Sequence, residues 1–157
     1  MTAAPGDHPF HFSVQFGVTA ADLPSRQRLR AWAARALLGP VNATLRVVDE
    51  AEGLELNLGF RGRAYATNVL TFPYGHDEQA RLHGDIALCW PVVCREAGEQ
   101  GKTVPAHCAH LVIHGMLHLQ GLDHEEDAQA RVMENLETRI LAGLGIADPY
   151  LTPDPTR

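Results

Sequence analysis

The stretch His114-Gly115-Met116-Leu117-His118-Leu119-Gln120-Gly121-Leu122-Asp123-His124 constrains this chain more than any other. It reads H-x-x-x-H-x-x-G-x-x-H. Histidines four apart on a helix lie about 40° apart around the axis and about 6 Å along it, so two imidazoles converge on one ion. Gly121 takes the left-handed conformation that ends a helix and turns the chain back. His124, arriving after that turn, supplies a third ligand. Three histidines leave the fourth tetrahedral position open, which is the arrangement of a catalytic and not a structural zinc site. One transition-metal ion is expected. Zinc leads, although imidazole suits nickel, copper and iron as well.

The same spacing occurs in the metzincin proteases, where a glutamate follows the first histidine and serves as general base. Here that position is Gly115. The metal spacing is kept and the protease's base is missing, which argues for different chemistry at an open ion. A metal-dependent hydrolase of another class, peptidase-like, is the alternative that Gly115 weakens.

At 157 residues, with 45% hydrophobic and 20% charged residues, the chain is expected to form one globular domain spanning 1–157. No apolar run approaches the ~18–20 residues of a membrane span. The N-terminus lacks a basic region followed by an apolar core, so a cytoplasmic protein is expected. Cys89, Cys94 and Cys108 form no C-x-x-C pair and read as small buried hydrophobes. Cys108 lies nearly opposite His114 on a helix and is not counted as a ligand. The net charge of −6 argues against a general nucleic-acid binder without settling it. Neither DNA nor a membrane is expected as a partner. Charge is nevertheless local: Arg26, Arg28, Arg30 and Arg35 cluster, Arg61 and Arg63 form a second group, and Glu125, Glu126, Asp127, Glu134 and Glu137 load acid into the C-terminal part.

Periodicity predicts strands over His11 to Phe16, Thr44 to Val48, Asn68 to Phe72 (stopped by Pro73) and Asp85 to Leu88. Helices are predicted over Ser25 to Leu38, Pro91 to Gln100, a central one capped by Thr103 and running to about Gln120, and a last one over Glu125 to Leu144 carrying Val132, Met133, Leu136, Ile140 and Leu144. Asp49 to Arg61 is ambiguous, because Leu54, Leu56 and Leu58 alternate like a strand. The tail from Asp148 to Arg157 is expected to fray. The fold class is α+β, an α/β sandwich: a small mixed four-stranded sheet packed with about five helices, with the metal site on the central helix and the following turn.

The segment from His110 to His124 resembles the signature of the YbeY family of bacterial rRNA maturation factors, roughly H-G-x-L-H-L-x-G-Y/F-D-H. Further matches are Leu56-Asn57 through Phe60-Arg61, Thr67 to Pro73, Gly84-Asp85-Ile86, Met133-Glu134, and Leu144-Gly145-Ile146 with Pro149-Tyr150. Leu122 replaces the usual aromatic and Thr71 the usual serine. The resemblance implies a metal-dependent endoribonuclease acting on single-stranded RNA. It further implies a role in rRNA maturation, especially the 3′ end of the small-subunit (16S) RNA, and in ribosome quality control with the ribosome or small-subunit assembly partners. It implies metal at His114, His118 and His124, Arg61 and His114 as catalytic residues, and a helix for Asp49 to Arg61.

Such an ion would act as a Lewis acid towards water and phosphoryl oxygen. A guanidinium presents paired donors to phosphate, which suits Arg61. The nucleophile, water or the RNA 2′-OH, is left open by the residues. His107 and His110 share the helical face of His114 and His118, and the resemblance makes His110 a supporting residue and not a ligand. Asp123 either orients a ligand imidazole or caps the last helix, and Asp85 either faces the site or serves a turn. A ribosome-assembly factor with a structural metal is the remaining alternative.

Overall fold

Four strands and five helices follow one another through residues 8–123 and 125–150, which the computed structural model describes. Their order is β1 (Phe10–Phe16), α1 (Arg26–Ala34), β2 (Val41–Val48), α2 (Glu50–Arg61), β3 (Val69–His76), β4 (Leu82–Cys89), α3 (Trp90–Glu99), α4 (Val104–Leu119) and α5 (Asp127–Gly143). The sheet runs β1-β2-β4-β3; β1, β2 and β4 are parallel and β3 is antiparallel at one edge. This is the mixed four-stranded α+β arrangement that the sequence predicts.

Strand alternation gives the sheet one apolar face. Val41, Ala43, Leu45 and Val47 of β2 and Leu82, Ile86 and Leu88 of β4 are buried there, in one core with Leu29 and Trp32 of α1 and Val112, Ile113 and Met116 of α4. α4 is buried nearly all round and sits close to the sheet at Gly115, where an added Cβ would lie 3.2 Å from Val69 Cγ2 and 3.4 Å from Ile86 Cγ2. Position 115 therefore points into the sheet. A side chain there would start tight against Val69 and Ile86, which disfavours a protease-type glutamate.

Several boundaries differ from the sequence reading for identifiable reasons. Asp49 to Arg61 is a helix, as the resemblance implies. Asp49 caps it through Glu52 N at 2.8 Å, and Gly62 ends it at φ 67°. The alternating Leu54 and Leu58 lie on its exposed side. β3 continues through Pro73 to His76, because β3 is an edge strand and a register shift between Pro73 and Gly75 absorbs the missing donor. α1 ends at Ala34, and the next turn is closed by the side chain of Gln120, which accepts from Leu38 N at 2.7 Å and donates to Ala36 O at 2.8 Å. Arg26 and Arg30 fold back over Phe16 and Phe10 and donate to the Val14 and Phe10 carbonyls, covering the outer edge of β1. Asp148 to Tyr150 are held, with Asp148 accepting from Thr138 and Tyr150 N.

Two outcomes follow from this packing. Gly115→Val should destabilise the chain by about 1–3 kcal/mol in urea unfolding, because the helix cannot move off the sheet without strain. Among the thiols, burial pushes Cys108 up to about 12, and Cys94 is only half-buried. Alkylation of the native chain at pH 8, followed by mass spectrometry, should modify Cys94 well before Cys108.

Candidate metal centre

α4 carries its histidines in one stripe. Ring centroids step from His107 to His110 at 6.3 Å, on to His114 at 6.3 Å and to His118 at 6.4 Å, the last two rings lying within 10° of parallel. The helix stops immediately after His118. Gly121 takes φ 106° and its N–H reaches His118 O at 3.0 Å, while Leu122 N closes on Leu117 O at 3.1 Å. The turn that the motif requires is therefore present. His124, the expected third ligand, lies outside the described residues.

Each of the two helix histidines is gripped at Nδ1. Glu137 Oε1 lies 2.5 Å from His114 Nδ1, and Thr71 Oγ1 lies 2.7 Å from His118 Nδ1. Glu137 can only accept, so it favours the His114 tautomer protonated at Nδ1, with Nε2 as the metal-binding atom. The Thr71 hydroxyl can donate or accept, and so fixes the orientation of the His118 ring. The grips come from opposite sides, α5 and the edge strand β3.

His110, His114 and Glu137 also bring one ligand atom each to within 4.8 Å of one another, a spacing that could hold an ion. The individual distances favour hydrogen bonds. Ligands about 2.0–2.2 Å from a tetrahedral ion stand roughly 3.3–3.5 Å apart, whereas Glu137 Oε1 and His114 Nδ1 are 2.5 Å apart. Glu137 Oε2 meets His110 Nε2 at 3.2 Å and accepts the Tyr150 hydroxyl. Burial opposes ionisation of Glu137 most strongly, but the hydrogen bonds from His110, His114 and Tyr150 together outweigh it and hold the carboxyl at about 2. Tyr150 is pushed up by burial and by that carboxylate. Glu137 is thus an ionised acceptor shared by three donors.

His114 and His118 open into a cleft of about 420 Å³ whose lining includes Arg61, Asn68, Thr71, Asp123 and Glu125. Arg61 is the last residue of α2, so the helix end delivers an exposed guanidinium to the histidine cleft. A larger cavity of about 600 Å³ lies against His110 and Tyr150, beyond the carboxylate, and contains neither His114 nor Arg61. Asp123 lines the cleft. Asp85 does not: it sits on the opposite face of the sheet, with Oδ2 accepting from Tyr74 at 2.7 Å. His107 is buried and its Nε2 meets Glu96 Oε1 at 2.9 Å, away from the cleft.

Glu137 was missed among the acids of the C-terminal part. The signal was present, because Met133, Glu137 and Leu141 fall on one helical stripe and all three are buried. A glutamate within an apolar stripe must find partners. Val132, expected in that stripe, is exposed instead.

A family model described as Endoribonuclease YbeY matches residues 25–145. The chain belongs to the YbeY family. It is 58% identical to the Endoribonuclease YbeY of Aromatoleum aromaticum, covering 81% of both chains. It is 49% identical to that of Nitrosomonas europaea over 96% of this chain and 94% of the other. The Azoarcus sp. relative is 56% identical over 85% of this chain, which spans 56% of that protein's length. A solution structure of TM1509 from Thermotoga maritima superposes with a TM-score of 0.57 at 30% identity, covering 83% of this chain and 86% of that one. The two departures from the YbeY signature keep its physics. Thr71 still offers a hydroxyl to His118, and Leu122 packs against the main core.

If the buried carboxylate orients His114, Glu137→Ala should weaken zinc binding by ~10–100-fold in competition with a chromogenic chelator. Glu137→Gln, which keeps an acceptor and loses the charge, should fall between that variant and the parent. Equal affinities with unchanged circular dichroism would remove the orienting role.

Proposed function

We propose that this chain is a metal-dependent endoribonuclease that cuts single-stranded RNA in the cleft between the end of α4 and the end of α2. His114 and His118 hold the ion through Nε2, and His124 supplies the third ligand. Zinc is the expected metal. The observation that carries this reading is one cleft lined by both histidines, each with Nδ1 tied to an oxygen, and by Arg61. The chain's family and the names of its relatives support RNA as the substrate.

The residues divide the work. A bound transition metal supplies Lewis-acid polarisation of water and of a phosphoryl oxygen. Arg61 donates to the non-bridging oxygens of the phosphate and follows their charge as it grows. Glu137 and Thr71 hold the two imidazoles in fixed orientation, and the Glu137 carboxylate sets the tautomer of His114. Unpaired RNA can bend its backbone into a small cleft, whereas an A-form duplex presents a rigid phosphate path. The acid surplus of the chain limits its general attraction for RNA, so the cellular target is reached with help from the ribosome or a small-subunit assembly partner. Maturation of the 3′ end of 16S rRNA and ribosome quality control in the cytoplasm are the roles that fit. A peptidase reading loses its base at Gly115, which faces Val69 and Ile86.

His118→Ala should lose bound zinc by elemental analysis, whereas Arg61→Ala should keep it and still cut RNA ~10²–10³-fold more slowly. Full zinc in the first variant, or full rate in the second, would contradict the assignment. The parent chain should cleave a single-stranded RNA and spare the matched duplex. That cleavage should weaken as salt rises and stop with a chelator, and casein should stay intact. Equal cutting of the duplex, or metal-dependent proteolysis, would overturn the reading.

A further inference from the structure

The sheet has a second face, turned away from α4, that the histidine cleft does not use. It carries a cavity of about 310 Å³, walled on one side by α2 with Leu56 and Phe60 and on the other by Phe72, Tyr74 and Asp85. This is at the lower end of the ~300–1,000 Å³ range of small-ligand sites. Phe60 is 70% exposed and Tyr74 66% exposed. Phe60 stands edge-on to Phe72 with centroids 4.9 Å apart. Tyr74 donates to Asp85 Oδ2 at 2.7 Å, which places a carboxylate beside the aromatic rings.

We propose that this cavity takes one nucleobase of the RNA whose phosphate is held at Arg61, and that it favours bases bearing an exocyclic amino group over uracil. The inference rests on the ribonuclease reading of the cleft. Three observations carry it. First, the two sites share their walls. Phe60 and Arg61 are the last two residues of α2, and edge strand β3 gives Thr71 to the cleft and Phe72 and Tyr74 to the cavity. A strand lying over the end of α2 therefore places a phosphate at Arg61 and an adjacent base at Phe60. Second, the cavity is built for a base and not for a phosphate. Its one cation, among the described residues, is Arg46, whose charge is spent on Glu52 at 2.5 and 2.9 Å. What is left is exposed aromatic surface, on which any base stacks. Third, Asp85 makes no ion pair among the described residues and has only acceptor oxygens to offer. Adenine, cytosine and guanine present amino donors to such a group. Uracil flanks its single donor with two carbonyl oxygens, which an anionic acceptor repels.

The test uses the zinc-loaded full chain with short labelled oligomers of adenosine, cytidine or uridine. The parent should cleave the adenosine and cytidine oligomers with kcat/KM at least several-fold above the uridine one. Phe60→Ala should raise KM about tenfold, as loss of one stacked base does, with the loss in KM and not in kcat. Asp85→Asn, which offers a donor and an acceptor, should bring the three oligomers together while Phe60 still binds them. Unchanged KM in Phe60→Ala together with an unchanged base ranking in Asp85→Asn would overturn the proposal and leave this face to a protein partner. If the parent cuts none of the oligomers, the ribonuclease reading itself fails. The cavity is then judged by fluorescence anisotropy of the same oligomers, where weaker binding by Phe60→Ala supports it and equal binding overturns it.

Discussion

The buried carboxylate of Glu137 is the constraint on which the site depends. A charge in an apolar interior is tolerated only when its oxygens are met by donors. Here three donors meet it: His110 and His114 from α4, and Tyr150 from the segment after α5. The carboxylate therefore docks α5 and the chain that follows it onto the histidine stripe. It also fixes the orientation of His114. The same hydrogen bonds thus serve both the packing of α5 and the setting of a histidine that lines the cleft.

The opposite grip comes from the sheet. β3 is antiparallel at the edge, and α4 lies against it closely enough that an added Cβ at position 115 would sit 3.2 Å from Val69 Cγ2. That approach brings His118 to Thr71. Directly after His114, the same glycine stands where a protease-type motif has its glutamate. Packing and chemistry thus disfavour the same alternative. α2 then completes the cleft, since its glycine-terminated end presents Arg61 to the cleft and Phe60 to the other face of the sheet.

Much of this is legible in the sequence. The H-x-x-x-H-x-x-G-x-x-H spacing names a helix, its stop and its stripe of imidazoles: α4 carries His114 and His118 and turns at Gly121, and Arg61, which the resemblance singles out, lines the same cleft. What periodicity could not reach are contacts between segments distant in sequence. Thr71 meets His118 across 47 residues and Glu137 meets His114 across 23. Alternation at Leu54, Leu56 and Leu58 leaves Asp49 to Arg61 ambiguous, because a helix with Leu54 and Leu58 exposed and Leu56 partly buried carries the same pattern as a half-buried strand. Only the resemblance decides for the helix. Asp85 is open between facing the site and serving a local hydrogen bond, and strand parity puts it on the far face with Tyr74. Pro73 looked like a strand's end, and an edge strand simply continues past it.

The central claim is that the ion is bound through Nε2 of His114 and His118, with Glu137 accepting a hydrogen bond from His114 Nδ1 and not coordinating. Long-range ¹H–¹⁵N NMR of the histidine rings during zinc addition reads this directly. The account predicts that Nε2 of His114 and His118 shifts with zinc while both Nδ1 atoms stay protonated and His110 is unmoved. Zinc-dependent loss of the His114 Nδ1 proton, with His110 shifting in step, would place the ion in the Glu137 cluster and contradict it.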